Sequence, residues 1–357
     1  MAAKKGKDGG AATAGDRPAA MYSRYRPQDF EQVIGQEHVT SVLAAAVESG
    51  QLAHAYIFSG TRGTGKTSVA RILARALGTA PEDTYEIDAA SQTSVDDIRE
   101  INEAVWVLPF RSRFKVYILD EAHMLSRGAW NALLKTLEEP PAHAIFILAT
   151  TEAEKIPETV ISRSEWYQFK KPSAAVLAKV VAETGKKEGL RFGEGASELI
   201  ASLAKGSFRD ALSVLQKVAH LSKDEVISRG EVERVTGAPP ARLVREFVAA
   251  LAAKDASAGL EAIGRAAAQG LDMESFTELA LELARRALLF RIAPKSALLA
   301  GVDEEERAFL ETLAKDSPIT SDALLALLRA IDEASVSAAP GLPLELAVVL
   351  LAEKAGK

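Results

Sequence analysis

The octet Gly60-Thr61-Arg62-Gly63-Thr64-Gly65-Lys66-Thr67 leaves this chain few ways to fold. It follows the apolar run Ala55-Tyr56-Ile57-Phe58 and precedes Ser68 to Leu77, whose apolar residues recur at helical spacing. A G-x-x-x-x-G-K-[ST] pattern between a strand and a helix is a phosphate-binding loop. Its glycines let the main chain curl so that successive N–H groups and the helix N-terminus face an anion. Gly60 through Ser68 then form the candidate nucleotide-binding loop. Lys66 reaches the terminal phosphates, and the Thr67 hydroxyl holds Mg²⁺. A plain glycine-rich turn is the competing explanation, and the strand–loop–helix setting argues against it.

The flanking pattern extends this unit. Val39, Val42-Leu43 and Ala46-Val47 give an amphipathic helix from His38 to about Glu48. Thr84 to Ala90 reads as a short strand, after which Ser91 opens a helix through Ile98, Ile101 and Val105. Phe114 to Glu121 is an apolar run ending in two acids, the mark of a buried parallel strand with carboxylates at its tip. A helix from Arg127 to Glu138 stops before Pro140-Pro141, and Ala144 to Thr151 is a fourth strand. Strands alternating with helices predict a parallel α/β sheet whose ligands bind beyond the strands' carboxyl ends. The loop, Asp120-Glu121 and Thr150-Thr151 converge there.

From Pro172 onward the strand pattern disappears. Residues 173–237 carry three helical patterns, separated near 189–195 and 222–224, and Pro239-Pro240 punctuates a boundary. The remainder is rich in Ala and Leu and reads as helix, with breaks near Asp255, Gly270, Pro294 and residues 317–319. The expected organisation is a disordered leader over 1–20, an α/β domain over 21–172, a helical domain over 173–238 and a second helical domain over 239–357. A length of 357 residues suits two or three domains. The leader has Lys4, Lys5, Lys7 and Arg17 against Asp8 and Asp16, and almost nothing to bury. It reads as a solvated leader or as a basic tail touching nucleic acid. A net charge of −6 excludes a global basic field, so any nucleic-acid contact must be local. With no cysteine, disulfides and thiolate metal sites are ruled out. No run approaches the roughly 18–20 apolar residues of a membrane span, and the N-terminus lacks a signal peptide's apolar core. The expectation is a cytoplasmic protein with no membrane contact.

Several side chains carry the chemistry. A P-loop enzyme needs a carboxylate near Mg²⁺ and, for hydrolysis, a group that orients the attacking water. Asp120 fits the first role through the metal's waters, and Glu121 fits the second. His123 reads as a structural hydrogen-bonding residue. Thr151 can bring a hydroxyl near the γ-phosphate. Ser207, with Asp210 three residues on, starts a helix and puts Arg209 in its first turn, where the dipole disfavours a cation. Arg209 therefore needs an anion opposite it, a nucleotide phosphate or an ordinary ion-pair partner. Arg163 ends the short helix begun at Pro157, where the dipole favours a cation, and spacing gives it no further role. Tyr22 to Pro27 interleave aromatics and arginines ahead of the loop. Tyr25, Arg26, Val33 and Ile34 could wall an adenine and clamp phosphates, or pack as an ordinary surface segment.

Taken together these residues resemble a known family, the gamma/tau subunits of bacterial DNA polymerase III clamp loaders, which are AAA+ ATPases. The resemblance is carried by Y-R-P-x-x-F-x-x-V-I-G-Q at 25–36, G-T-R-G-T-G-K-T at 60–67 and E-I-D-A-A-S at 86–91. It continues in D-E-A-H-M-L-S at 120–126, A-L-L-K-T-L-E-E-P-P at 132–141, I-S-R at 161–163 and G-S-x-R-D-A-L-S at 206–213. It runs from about Tyr22 to the end of the sequence. It implies an AAA+ domain, a small helical lid and an all-α collar, with ATP and Mg²⁺ as ligands. Arg163 matches an arginine finger acting in trans on a neighbour's ATP, Arg209 a second sensor and Thr151 a first sensor. The implied partners are other subunits of a five-membered ring, the sliding clamp and primer-template DNA, with hydrolysis triggered by DNA. Ser91, Gln92 and Thr93 are the candidate DNA contacts. Two departures stand out. The four-cysteine zinc module usual in the family is absent between Leu77 and Tyr85, so no zinc is expected, and Ser164 stands where a cysteine usually follows the finger.

A branch-migration motor has the same kind of ATPase domain but needs a strand-containing third domain. A non-hydrolysing scaffold subunit would lack the loop lysine or the acidic pair, and both are present here.

Overall fold

The computed structural model describes residues 19–91, 95–222, 225–296, 299, 302, 304–316, 318–334 and 337–353. Its first part runs α1 (Met21–Arg24), α2 (Glu37–Ser49), β1 (Ala55–Ser59), α3 (Lys66–Ala76), β2 (Thr84–Asp88), α4 (Val95–Val105), β3 (Lys115–Asp120), α5 (Arg127–Glu138), β4 (Ala144–Thr150), α6 (Glu158–Ile161) and β5 (Glu165–Gln168). The strands lie in the order β2-β3-β4-β1-β5, every pairing parallel. Strands β1 and β4 are buried throughout because both their faces are covered. Val39 and Leu43 of α2 and Val69 and Leu73 of α3 pack on Phe58, Ile118 and Ile147. On the other face Ile98 of α4 and Trp130 and Leu133 of α5 pack on Ile57, Leu119 and Phe146. Each such side chain withdrawn from water contributes roughly 1.5–3 kcal/mol. The register pairs Ser59 with Thr150 and Asp88 with Asp120, so the carboxyl ends finish level.

The fifth strand corrects the sequence pattern, which gives four. Glu165-Trp166-Tyr167-Gln168 has no apolar run, because β5 is an edge strand pairing with β1 alone. Tyr167 packs edge-on against Phe58, with ring centroids 6.0 Å apart, while Trp166 is half exposed.

The next part contains α7 (Ala174–Lys187), β6 (Arg191–Phe192), α8 (Ala196–Leu203), α9 (Phe208–Leu221), β7 (Val226–Ile227) and α10 (Arg229–Thr236). Two expectations change here. The strand pattern does not vanish after Pro172, since β6 and β7 form a two-residue parallel pair too short to leave a period. The middle helical pattern is two helices, because Lys205 and Gly206 both take positive φ (47° and 86°) and break it. Caps fix the starts: the Ser173 Oγ accepts from Val176 N–H, Ser207 from Asp210 N–H, and Ser228 with Glu231 forms a full capping box. Met21 is buried in this helical core, and its N–H donates to Gln216 Oε1 at 2.8 Å.

The last part is α11 (Ala241–Ala253), α12 (Ala256–Ala268), α13 (Met273–Ile292), α14 (Glu304–Asp316), α15 (Ser321–Ala334) and α16 (Leu342–Glu353). Its core gathers Phe247, Ile263, Phe276, Leu310, Leu327 and Val348. Leu279 of α13 packs on both helical cores and joins them. Among the described residues no helix is long and apolar enough to cross a membrane.

Candidate active site

The loop between β1 and α3 takes a positive φ at three glycines, Gly60, Gly63 and Gly65. Gly60 (φ 146°) and Gly63 (φ 75°) would place a Cβ 2.6 Å from Phe169 O and 2.0 Å from Ser207 Oγ. Lys66 opens α3 and is 5% exposed. Its Nζ lies across the loop, donating to Gly60 O at 2.7 Å and Thr61 O at 3.0 Å. Burial pushes this ammonium below its ordinary range, against the opposing pull of Glu121 and Asp120. The Thr64 hydroxyl donates to Thr61 O at 2.8 Å, Arg62 stands exposed, and Ser68 sits in the first turn of α3.

The strand tips bring the next groups together. The Thr67 hydroxyl donates to Asp120 Oδ2 at 2.9 Å, so the two candidate magnesium groups already touch. Glu121 leaves β3 in the left-handed region (φ 49°), at a cost of roughly 1–3 kcal/mol for a residue with a Cβ. That twist turns its carboxylate toward β4, where Thr151 Oγ1 donates to Glu121 Oε2 at 3.1 Å. His123 is nearly buried between Thr150 Oγ1 (Nδ1, 3.1 Å) and Glu152 Oε1 (Nε2, 3.1 Å), with Glu121 Oε2 3.5 Å from Nδ1. Glu152 accepts only, so the contact at Nε2 is an N–H donated to its carboxylate.

The helical part closes on the same loop. Phe208 N–H donates to Gly63 O at 3.0 Å, setting the start of α9 on the loop. Arg209, in that first turn, lies over the Tyr22 ring at 4.9 Å, and among the described residues no carboxylate pairs with it. Burial first, then the Arg71 and Arg209 guanidiniums, push Arg26 below its ordinary range. Three arginines thus converge on one region. Arg71 is neutralised by Glu86, with Nε to Oε2 at 2.7 Å.

Other expected residues go elsewhere. Tyr25 packs on the helical core, its hydroxyl donating to Glu188 and Lys187 lying over its ring at 5.8 Å. Val33 is buried in the sheet core and Ile34 half-buried beside it. Arg163 donates to Thr159 O at 2.7 Å and pairs with Glu138 Oε1 at 2.9 Å, contacts that lie away from the loop. Ser91 sits exposed in a turn, its hydroxyl donating to Asp88 O at 3.1 Å, while Gln92 and Thr93 lie outside the described residues. Among the described residues no group of three or more His, Asp or Glu side chains is placed to hold a metal.

Three features escape the sequence reading. Gln36 is fully buried beside Thr64. Trp106, Val107, Leu108 and Phe110 are 60%, 62%, 74% and 76% exposed, a run of outward apolar side chains after α4. Asp83 anchors that run, accepting from the N–H groups of Phe110, Arg111 and Ser112, while Lys115 Nζ holds its start through Ala104 O and Val107 O. The five successive residues W-V-L-P-F fit neither a helical nor a strand period, and that mismatch is the available signal.

Fold and loop define the class, a P-loop chain of the AAA+ type. The Thermotoga maritima RuvB Holliday junction branch migration motor superposes with a TM-score of 0.52 at 21% identity, covering 64% of this chain and 79% of that one. A family model described as "DNA polymerase III, delta subunit" matches residues 79–173, and one described as "DNA polymerase III subunits gamma and tau domain III" matches 227–356. The Bacillus subtilis DNA polymerase III subunit tau is 42% identical over 296 residues, 77% of this chain and 52% of that protein. The Mycobacterium tuberculosis gamma/tau subunit is 38% identical over 312 residues (81% and 54%), and the Escherichia coli tau subunit 38% over 292 (76% and 45%). The chain belongs to the DNA polymerase III gamma/tau family. It spans about half the length of these relatives.

Proposed function

We propose that this chain is the ATP-hydrolysing motor subunit of a DNA polymerase III clamp loader in the bacterial cytoplasm. In this reading ATP binding lets a five-membered ring of subunits open the sliding clamp, and primer-template DNA stimulates hydrolysis and release. The observation that carries it is the meeting, at the carboxyl end of the sheet, of the buried Lys66, the Thr67–Asp120 pair and the Glu121–Thr151 pair, with Arg209 in the first turn of the helix that Phe208 ties to the loop. The ammonium of Lys66 exchanges loop carbonyls for phosphate oxygens. Arg209, which has no carboxylate opposite it among the described residues, takes the phosphate as its anion. Glu121, held by Thr151, accepts a hydrogen bond from the attacking water and aims it. Thr67 and Asp120 are hard oxygen donors side by side, a set that fits Mg²⁺. The ion supplies charge neutralisation at the phosphates.

Partner contacts have separate support. Leu342, Leu346 and Leu350 fall on one face of α16 and are 45–56% exposed, joined by Leu325 and Leu328 on α15, which suits a ring-forming collar. The run Trp106–Phe110 suits docking to the clamp. Ser91, Gln92 and Thr93 remain the candidate DNA contacts, and Arg163, just past α6 and half-buried, would exchange its surface pair with Glu138 for a neighbour's nucleotide. The branch-migration reading loses ground because no strand occurs among the described residues after Ile227. The test is ATP turnover with clamp and companion subunits, with and without primer-template DNA. DNA-stimulated turnover that needs the companions supports the reading, and turnover indifferent to all of them overturns it.

A further inference from the structure

Gln36 follows Val33-Ile34-Gly35, and its side chain is completely buried. A buried amide is costly unless both its ends are paired. Here both ends meet main chain. Its Oε1 accepts from Lys170 N–H at 3.0 Å, and its Nε2 donates to Lys170 O at 2.7 Å and, more weakly, to Thr64 O at 3.4 Å. Thr64 belongs to the phosphate-binding loop, while Lys170 lies between β5 and α7, on the connection from sheet to lid.

Gripping both the N–H and the C=O of one residue is what a neighbouring strand does. Gln36 thereby extends the sheet's hold one step beyond β5. Just before it, Phe169 N–H donates to Ser59 O at 2.7 Å, and Gly60 leaves no room for a Cβ against Phe169 O. The connection is therefore fastened to both halves of the loop as far as Lys170. Only Lys171 and Pro172 then separate it from the Ser173 cap of α7. On its far side the lid returns to the same loop through Phe208 N–H and Gly63 O, 3.0 Å apart.

We infer that Gln36 is a positioning residue that locks the loop at Thr64 to the sheet-to-lid connection at Lys170, so that both respond to a nucleotide as one body. When phosphates draw the N–H groups of Gly63 to Lys66 toward them, the Thr64 carbonyl moves with its peptide, and Gln36 carries that displacement to Lys170. The inference rests on the nucleotide reading of the loop.

The test is hydrogen exchange on the full chain with and without a non-hydrolysable ATP analogue, alongside titration of the analogue's affinity. Gln36→Met keeps the volume and removes both hydrogen-bonding ends, and Gln36→Ala is the second variant should Met fail to fold. In the wild-type chain the analogue slows exchange over 169–174 and 206–209. In the folded variant the analogue still binds, and the slowing over 169–174 shrinks by about fivefold or more, within the range of ordinary coupling. Undiminished slowing over 169–174 overturns the role. So does loss of slowing at 169–174 and 206–209 in proportion to lost affinity, the mark of a merely structural residue. A wild-type chain that does not bind the analogue overturns the nucleotide reading itself, and the coupling falls with it.

Discussion

Thr151 Oγ1 donates to Glu121 Oε2 at 3.1 Å, joining the tips of two neighbouring strands at the carboxyl end of the sheet, where the loop opens. Because Glu121 is also twisted into a positive φ, its carboxylate is aimed by both backbone and side chain. Glu121→Gln should lower ATP turnover by about 100-fold or more, the usual worth of a group that activates the nucleophile. Thr151→Val should cost about tenfold, as a positioning contact is lost and the carboxylate remains. Nucleotide affinity, measured by titration, should stay within a few-fold in both. A Glu121→Gln variant with wild-type turnover removes Glu121 from the hydrolytic role.

Arg163 should behave differently in the ring and in isolation. Within the chain it pairs with Glu138 on the surface, an interaction worth about 0.2–1 kcal/mol, so Arg163→Ala should melt close to the wild type. The isolated variant should also bind ATP normally. In the assembled ring its turnover should fall by about 10³-fold if the guanidinium acts on a neighbour's phosphates. Equal turnover of variant and wild-type rings would leave Arg163 as a helix-end cation.

Much of this was legible because the informative segments are locally over-determined. The loop, the apolar β1, β3 and β4, and the Asp120–Glu121 tip each need a particular residue type at a particular place, so spacing alone assembles them. Ser207 and Arg209 were readable for the same reason, through the demands of a helix start. Legibility ends where a contact is made by tertiary neighbours. Gln36 and Lys170 are 134 residues apart, and nothing in V-I-G-Q marks a buried amide. The Tyr25 hydroxyl finds its partner in Glu188, 163 residues away. Strand β5 was invisible because an edge strand buries too little to impose a pattern.

Asp83 gives the fold an acid-sensitive point. Burial works to raise its pKa. The N–H groups of Arg111, Phe110 and Ser112, with the Ser112 hydroxyl, outweigh that and hold it at about 2, below the ordinary 3.8. A depressed carboxyl stabilises the fold above the unfolded value, and that stability is lost as pH falls from 3.8 toward 2. Thermal melts across this window should show the wild type losing stability faster than Asp83→Asn, which starts lower and lacks the titration. Parallel pH profiles for the two would show that the carboxylate is not what holds residues 110–112.

The exposed run Trp106–Phe110 yields the sharpest separation of stability from function. Trp106, Val107, Leu108 and Phe110 are 60–76% exposed, so truncating them removes little from the core, and surface changes of this kind stay within about 0.5 kcal/mol. Lys115 and Asp83 fix the main chain at the run's two ends, which lowers the backbone-ordering cost of binding. Central aromatic anchors typically carry 2 kcal/mol or more of an interface, so Trp106→Ser or Phe110→Ser should weaken docking to the sliding clamp by about 30-fold. Melting temperature, ATP affinity and turnover without the clamp should hardly change. Calorimetric titration of the clamp into each variant checks this. If both variants bind the clamp as the wild type does, the docking surface lies elsewhere on the molecule. If they melt early instead, the run supports the fold rather than a partner.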